Sequence, residues 1–218
     1  MTIFQHLKDI FRGVDNPVLL EIGACYCEDT YDIILNANLR ASKLKYYAFE
    51  PDPYNLEVIS RQNVKNYITV VPKAVGAENG KVEFWRSSGN IDPNGPSWTG
   101  SGSIKPPKNH LAAHPWCKFE SKIEVPIITL DKFFEDENLD HIDFAWVDVQ
   151  GNEGDVVKGG QNALKRTHFL YCEYNDHEQY EGQMKLSEWI NLLPGKWSLI
   201  EQWPHDVLLR NEFFTNTN

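Results

Sequence analysis

The sequence predicts an α/β fold: a mostly parallel seven-stranded, Rossmann-like sheet with an antiparallel last strand and helices on both faces. Three observations carry this prediction. The apolar run Val18, Leu19, Leu20 leads to an acid, Glu21, and then into Gly23, within VLLEIGACYCEDT. One helix later KYYAFEPDP repeats the pattern, with Glu50 as the acid. Continuous apolar runs of this kind suit strands buried on both faces. Strand-like and helix-like stretches then alternate along the chain, which is the order of a parallel sheet.

Taken in order, Ile3, Phe4, Leu7, Ile10 and Phe11 fall on one face of a helix over residues 3–11, so this helix packs on the sheet. The strand ending near Glu21 is followed by a helix over 29–39, and the strand ending at Glu50 by a Pro51 to Pro53 corner and a helix reaching residue 63. Residues 67–75 read as a third strand and 81–86 as a short one. Residues 87–108 are crowded with Gly, Pro and Ser and show no period, so they form a long functional loop. Pattern resumes with a strand over 122–130, a helix over 131–137 and a buried strand over 142–149. A helix over 153–164, a strand over 168–174 and a helix over 186–193 follow. KWSLIEQW and DVLLRN close the chain as a hairpin around Pro204 at the sheet edge.

Composition bounds the function. With 218 residues, 41% of them hydrophobic, the chain is read as one domain over 1–218, with 87–118 as an acceptor-binding loop. A formal net charge of -10 argues against nucleic acid as partner or substrate. No apolar run approaches the roughly 18 residues of a membrane span, and MTIFQHLKDIFRG lacks a signal-peptide pattern. A soluble, cytoplasmic protein is expected. Four scattered cysteines, Cys25, Cys27, Cys117 and Cys172, do not make a disulfide framework.

An acid at the tip of the second strand can grip ribose hydroxyls, so the paired strand ends point to an adenosine cofactor. A dinucleotide fingerprint needs further glycines for close approach to a pyrophosphate, and Cys25, Tyr26 and Cys27 stand there instead. S-adenosylmethionine, which has an amino-acid tail in place of phosphates, fits this loop better than NAD.

Three blocks in order resemble the FkbM family of methyltransferases. EIGACYCEDT is similar to its D-I-G-A-N-x-G-D-T, FEPDPYNL to its F-E-P-x-P, and TLDKFF followed by IDFAWVDVQGNE to its T-L-D-x-F and I-D-F-x-x-x-D-x-E-G-x-E. The resemblance implies a class I methyltransferase fold and an S-adenosylmethionine-dependent O-methyltransferase, often acting on a sugar hydroxyl. Cys25 and Cys27 stand where the family has Asn and Gly, Gln150 where it has Glu, and Glu21 where it has Asp. The alternatives are a cofactor-binding module with reduced turnover and an NAD-linked sugar oxidoreductase.

Cofactor contacts are expected from Glu21 (the methionine amine), Gly23, Ala24, Glu50 (the ribose), Pro51, Asp52, Ala74, Val75 (the adenine) and Asp148. By family analogy Asp148 lies closest to the transferred methyl group, with Glu173 and His177 as further proton acceptors. Trp98, Ser103, Trp116 and Glu153 are expected to bind acceptor, since aromatic faces cover the C–H surface of a sugar while acids take its hydroxyls. Lys105 and Lys108 offer charge for an acidic acceptor, and deleting the loop tip is expected to spare cofactor affinity. His110 and His114, with Cys117 close by, have the spacing of a metal site, but no metal is expected.

Overall fold

The computed structural model describes residues 1–39, 43–90, 92 and 94–216. The apolar runs become ten strands: β1 Val18–Ile22, β2 Lys45–Phe49, β3 Thr69–Val71, β4 Ala74–Val75, β5 Gly80–Gly89, β6 Cys117–Ile128, β7 Ile142–Val147, β8 Thr167–Glu173, β9 Trp197–Gln202 and β10 Asp206–Asn211. Eight α-helices join them: α1 Ile3–Ile10, α2 Glu28–Asn36, α3 Pro53–Ser60, α4 His110–Ala113, α5 Leu130–Asp136, α6 Glu153–Gly159, α7 Gln161–Lys165 and α8 Leu186–Trp189. Seven strands form the expected sheet in the order β3-β2-β1-β7-β8-β10-β9. β1, β2, β3, β7 and β8 run parallel, and β10 is antiparallel to both β8 and β9.

Both faces of this sheet are dry, which explains why its central strands read as unbroken apolar runs. Every residue of β1 and β7 is buried. Successive side chains point to opposite faces, so Leu19 packs with Leu7 of α1 and Ile33 of α2. Val18, Leu20 and Ile22 face Phe133 of α5 and Leu164 of α7. Each such side chain stabilises the fold by roughly 1.5–3 kcal/mol.

The structure corrects the expected third strand over 67–75. Pro72 has no N–H for a ladder, so the chain leaves the main sheet after Val71, and Ala74 and Val75 join a separate three-stranded sheet of order β4-β6-β5. In this second sheet β5 and β6 form a long antiparallel hairpin, Gly80 opposite Ile127 through to Gly89 opposite Cys117. The expected loop over 87–108 therefore begins later, because residues 87–89 complete β5, and Ser103 bridges back to Trp85. Residues 91 and 93 of the 87–118 segment lie outside those described. Among the described residues no helix is long and apolar enough to cross a membrane.

Candidate active site

In an open α/β sheet the ligand crevice lies beyond the carboxyl ends of the parallel strands. Here β1, β2, β7 and β8 deliver Gly23, Glu50, Asp148 and Glu173 to one end. Gly23 has φ +94°, and an added Cβ would lie 1.7 Å from the carbonyl oxygen of Asp148. Only glycine allows these two strand-end turns to touch. The Gly23 and Ala24 amides both donate to the Phe49 carbonyl, at 3.1 and 2.9 Å. They brace the turn and are spent there.

Two cavities meet at this end. The inner one is lined by Phe49, Glu50, Pro51, Ala74 and Val75 and by Thr99, Gly100 and Ser103 of the long segment. The larger outer cleft takes in Glu153, Glu173, Trp98, Trp116 and Tyr180. Gly23, Cys25, Gly100, Asp148 and Gln150 line both.

Glu50 is buried, its Oε1 accepts from the Asp52 amide at 2.7 Å, and burial pushes its carboxyl up to about 8. Asn152, 1% exposed, donates Nδ2 to the Val75 carbonyl at 3.0 Å and leaves Oδ1 buried with no protein partner in the inner wall. At the junction Gln150 donates Nε2 to Asp148 Oδ1 and Glu173 Oε2, both at 2.8 Å. The Tyr180 hydroxyl lies 3.0 Å from Gln150 Oε1. Burial, and then the neighbouring Asp148, hold the Glu173 carboxyl well above its usual range, so Glu173 carries a proton beside Asp148.

Four expected contacts take other places. Glu21 lines neither cavity: its Oε2 accepts from Thr30 Oγ1 at 2.6 Å and from the Tyr46 hydroxyl at 2.7 Å, beneath the turn. Asp52 caps α3 through the Tyr54 amide and pairs with both Arg86 nitrogens at 2.7 and 2.9 Å, so its oxygens face the protein and not the inner cavity. His177 is exposed on the loop after β8 and lines neither cavity. Ser103 lines the inner cavity and not the outer cleft, because its hydroxyl donates to the Gln150 carbonyl at 2.7 Å.

Lys105 and Lys108 pair with Asp155 at 2.9 Å and Glu178 at 2.6 Å, outside the linings of both cavities. Trp98 and Trp116 meet edge to face at 5.9 Å on the outer wall. Glu153 accepts from the Gly151 amide at 3.0 Å and lines the same cleft. His110 and His114 stand 4.8 Å apart, ring to ring, and no group of three or more His, Cys, Asp or Glu residues suited to a metal occurs among the described residues.

Thr99, which sequence reasoning missed, joins the Tyr26 hydroxyl and Asn55 Oδ1. It ties the long segment to the first motif, so removing that segment would open the inner cavity as well as the outer cleft. Asn55, Gln179 and Tyr180 were also missed, and lie in stretches whose pattern signals only helix or loop. Cys25 and Cys27 adopt φ +48° and +59°, a left-handed conformation that suits the Asn and Gly of the resembling motif better than Cys. Burial pushes both thiols up to about 12, so they are inert at neutral pH.

Burial also raises Glu21 and Glu153 from 4.5 to about 7, beside Glu50 at about 8. Each is ionised in the unfolded chain above roughly 4.5 but resists ionisation when folded. Their stabilisation is therefore complete below that pH and is lost as pH rises through 7 to 8. The melting temperature of the ligand-free protein is expected to fall between pH 5 and 8, and Glu21→Gln to flatten part of that slope. A melting temperature that rises across this window contradicts the assignment.

The sheet order, the strand-end turns and the two joined cavities define a Rossmann-like class I methyltransferase. The chain belongs to the FkbM methyltransferase family: the Methyltransferase FkbM domain matches residues 21–200. It is 39% identical over 202 residues to the 2-O-methyltransferase NoeI of Sinorhizobium fredii, covering 90% of this chain and 80% of that protein. It is 26% identical over 161 residues to the hexuronic acid methyltransferase AglP of Haloferax volcanii, covering 73% of this chain and 56% of that protein. The crystal structure of an FkbM methyltransferase from Methylobacillus flagellatus shares the fold, with a TM-score of 0.53 at 15% identity over 90% of this chain and 44% of that one.

Proposed function

We propose that this chain is an S-adenosylmethionine-dependent O-methyltransferase whose acceptor is a sugar hydroxyl. The observation that carries the reading is the meeting at Asp148 of an inner cavity lined by Glu50 and apolar Phe49, Ala74 and Val75 and an acid- and aromatic-lined outer cleft.

The donor set of the inner cavity fits the cofactor. Glu50, whose carboxyl is held by the Asp52 and Cys25 backbone and the Asn55 side chain, faces the inner cavity with lone pairs for ribose hydroxyls. Apolar Phe49, Pro51, Ala74 and Val75 suit the faces of an adenine ring. Asn152 Oδ1, buried and unpartnered, suits an amino donor such as adenine carries. NAD fits less well, because the Gly23 and Ala24 amides that would meet a pyrophosphate are already hydrogen-bonded to Phe49. The sugar reading is supported by the 2-O-methyltransferase relative, by the hexuronic acid methyltransferase relative, and by Trp98 and Trp116 on the outer wall.

Bound there, S-adenosylmethionine supplies an electrophilic methyl group on a sulfonium sulfur. The protein's work is to align an acceptor oxygen and to receive its proton. Asp148, common to both cavities, takes that proton, and Gln150 fixes Oδ1 by its 2.8 Å hydrogen bond. Gln150 cannot ionise, so it bridges Asp148 and the protonated Glu173 without adding a charge. This supports turnover over a reduced binding module.

Methyl-labelled cofactor and a panel of oligosaccharides test the proposal. The expected result is label in a base-stable sugar methyl ether, with one S-adenosylhomocysteine released per label. Label found only on nitrogen or carbon acceptors would overturn it.

A further inference from the structure

Among the described residues the outer cleft has no lysine or arginine in its lining. The described lining carries five carboxyl side chains, Glu28, Asp29, Asp148, Glu153 and Glu173, and as bases His110 and His114. Of the cations near this end, Arg86 pairs with Asp52, Lys105 with Asp155 and Lys108 with Glu178, while Lys73 lines the inner cavity and not the cleft. His110 is buried, and burial, with His114 beside it, lowers its imidazole to about 4, so it contributes no positive charge at neutral pH.

Two residues of this lining each hold a buried polar atom with no protein partner. His110 is 4% exposed; its Nε2 meets Ser101 Oγ at 3.2 Å, while Nδ1 is buried and free. Gln179 Oε1 is likewise buried and unpartnered. Burying such atoms without a partner is costly, so a ligand group that reaches them as the wall adjusts gains by serving them. Gln179 Oε1 only accepts, and needs a donor. A hydroxyl satisfies it, and meets His110 Nδ1 in either tautomer because it both donates and accepts. A carboxylate, phosphate or sulfate oxygen offers Gln179 nothing and is repelled by the ionised members of this set, Glu173 alone carrying its own proton at pH 8. The Trp98 and Trp116 rings supply apolar surface for the C–H side of a pyranose.

We infer that the acceptor is an uncharged sugar ring, recognised in part by His110 and Gln179, and that sugars bearing an acidic group on the ring to be methylated are rejected. This inference rests on the sugar O-methyltransferase reading above. It sets the chain apart from its relative named for a hexuronic acid.

The test compares kcat/KM for methyl glycosides of glucose, galactose and mannose with those of the matching uronic acids and 6-phosphates, using labelled S-adenosylmethionine at pH 8. A preference of at least about a hundredfold for the neutral members is expected. Equal or faster methylation of the uronic acids or phosphates overturns the inference and leaves the sugar methyltransferase reading standing. Label in neither group, with cofactor bound, overturns both. His110→Ala is expected to raise the acceptor KM about tenfold while cofactor affinity stays unchanged; an unaltered KM removes His110 from recognition.

Discussion

Asp148→Asn is expected to lower kcat by two to three orders of magnitude while cofactor affinity changes less than threefold. The amide keeps the shape of the side chain and an oxygen to accept from Gln150 Nε2, now 2.8 Å away, so the turn that holds it should survive. What it loses is the ability to take a proton. General-base contributions typically lie in the range of about 10²–10⁴, and Glu173, which burial, the larger cause, still holds protonated once the Asp148 charge is gone, is a poor substitute. The backbone of this turn is anchored independently, through the Asp148 amide donating to the Ile22 carbonyl at 2.9 Å. Single-turnover kinetics with separate calorimetry would distinguish the effects. A loss of less than tenfold in kcat would show that proton removal lies elsewhere, with Glu153 the next carboxyl in the cleft lining.

Glu50→Ala should weaken S-adenosylmethionine binding by about two orders of magnitude. Leaving a buried hydrogen-bonding group unpaired costs about 1–3 kcal/mol, and a factor of ten in affinity corresponds to about 1.4 kcal/mol, so losing two ribose contacts accounts for the effect. Alanine also strands the Asp52 amide, which now donates to Glu50 Oε1 at 2.7 Å. Glu50→Gln serves as the companion, because its side-chain oxygen still accepts from that amide while its amide nitrogen cannot accept from a ribose hydroxyl. An intermediate loss is expected there. Wild-type affinity in both variants would remove Glu50 from the cofactor site.

The central sheet was legible in the sequence because its strands are buried on both faces and therefore lack polar alternation: Val18 to Ile22 and Ile142 to Val147 are buried throughout. Glu50 and Asp148 were legible for the converse reason, as acids placed where an apolar strand ends. The second sheet was not, since the departure at Pro72 and the pairing of Gly80 with Ile127 depend on contacts far apart in the chain. Asp52 misled because an acid after Pro51 resembles a ligand contact. Its true partners are a helix-start amide two residues on and Arg86, 34 residues away. Glu21 was correctly placed at a strand end, but the residues that satisfy it, Thr30 and Tyr46, become visible only when α2 and β2 pack around it. Gln179 and His110 reach one wall because the Gln179 carbonyl accepts from the amides of residues 108, 109 and 110, a junction no local pattern marks.

Calorimetric titration of the protein with S-adenosylhomocysteine, with NAD as control ligand, tests the central claim most directly. One-to-one binding in the micromolar range, weakened about a hundredfold in Glu50→Ala and absent for NAD, is the predicted result. No binding of S-adenosylhomocysteine to the wild-type protein, or binding of NAD in its place, would contradict the assignment of the inner cavity.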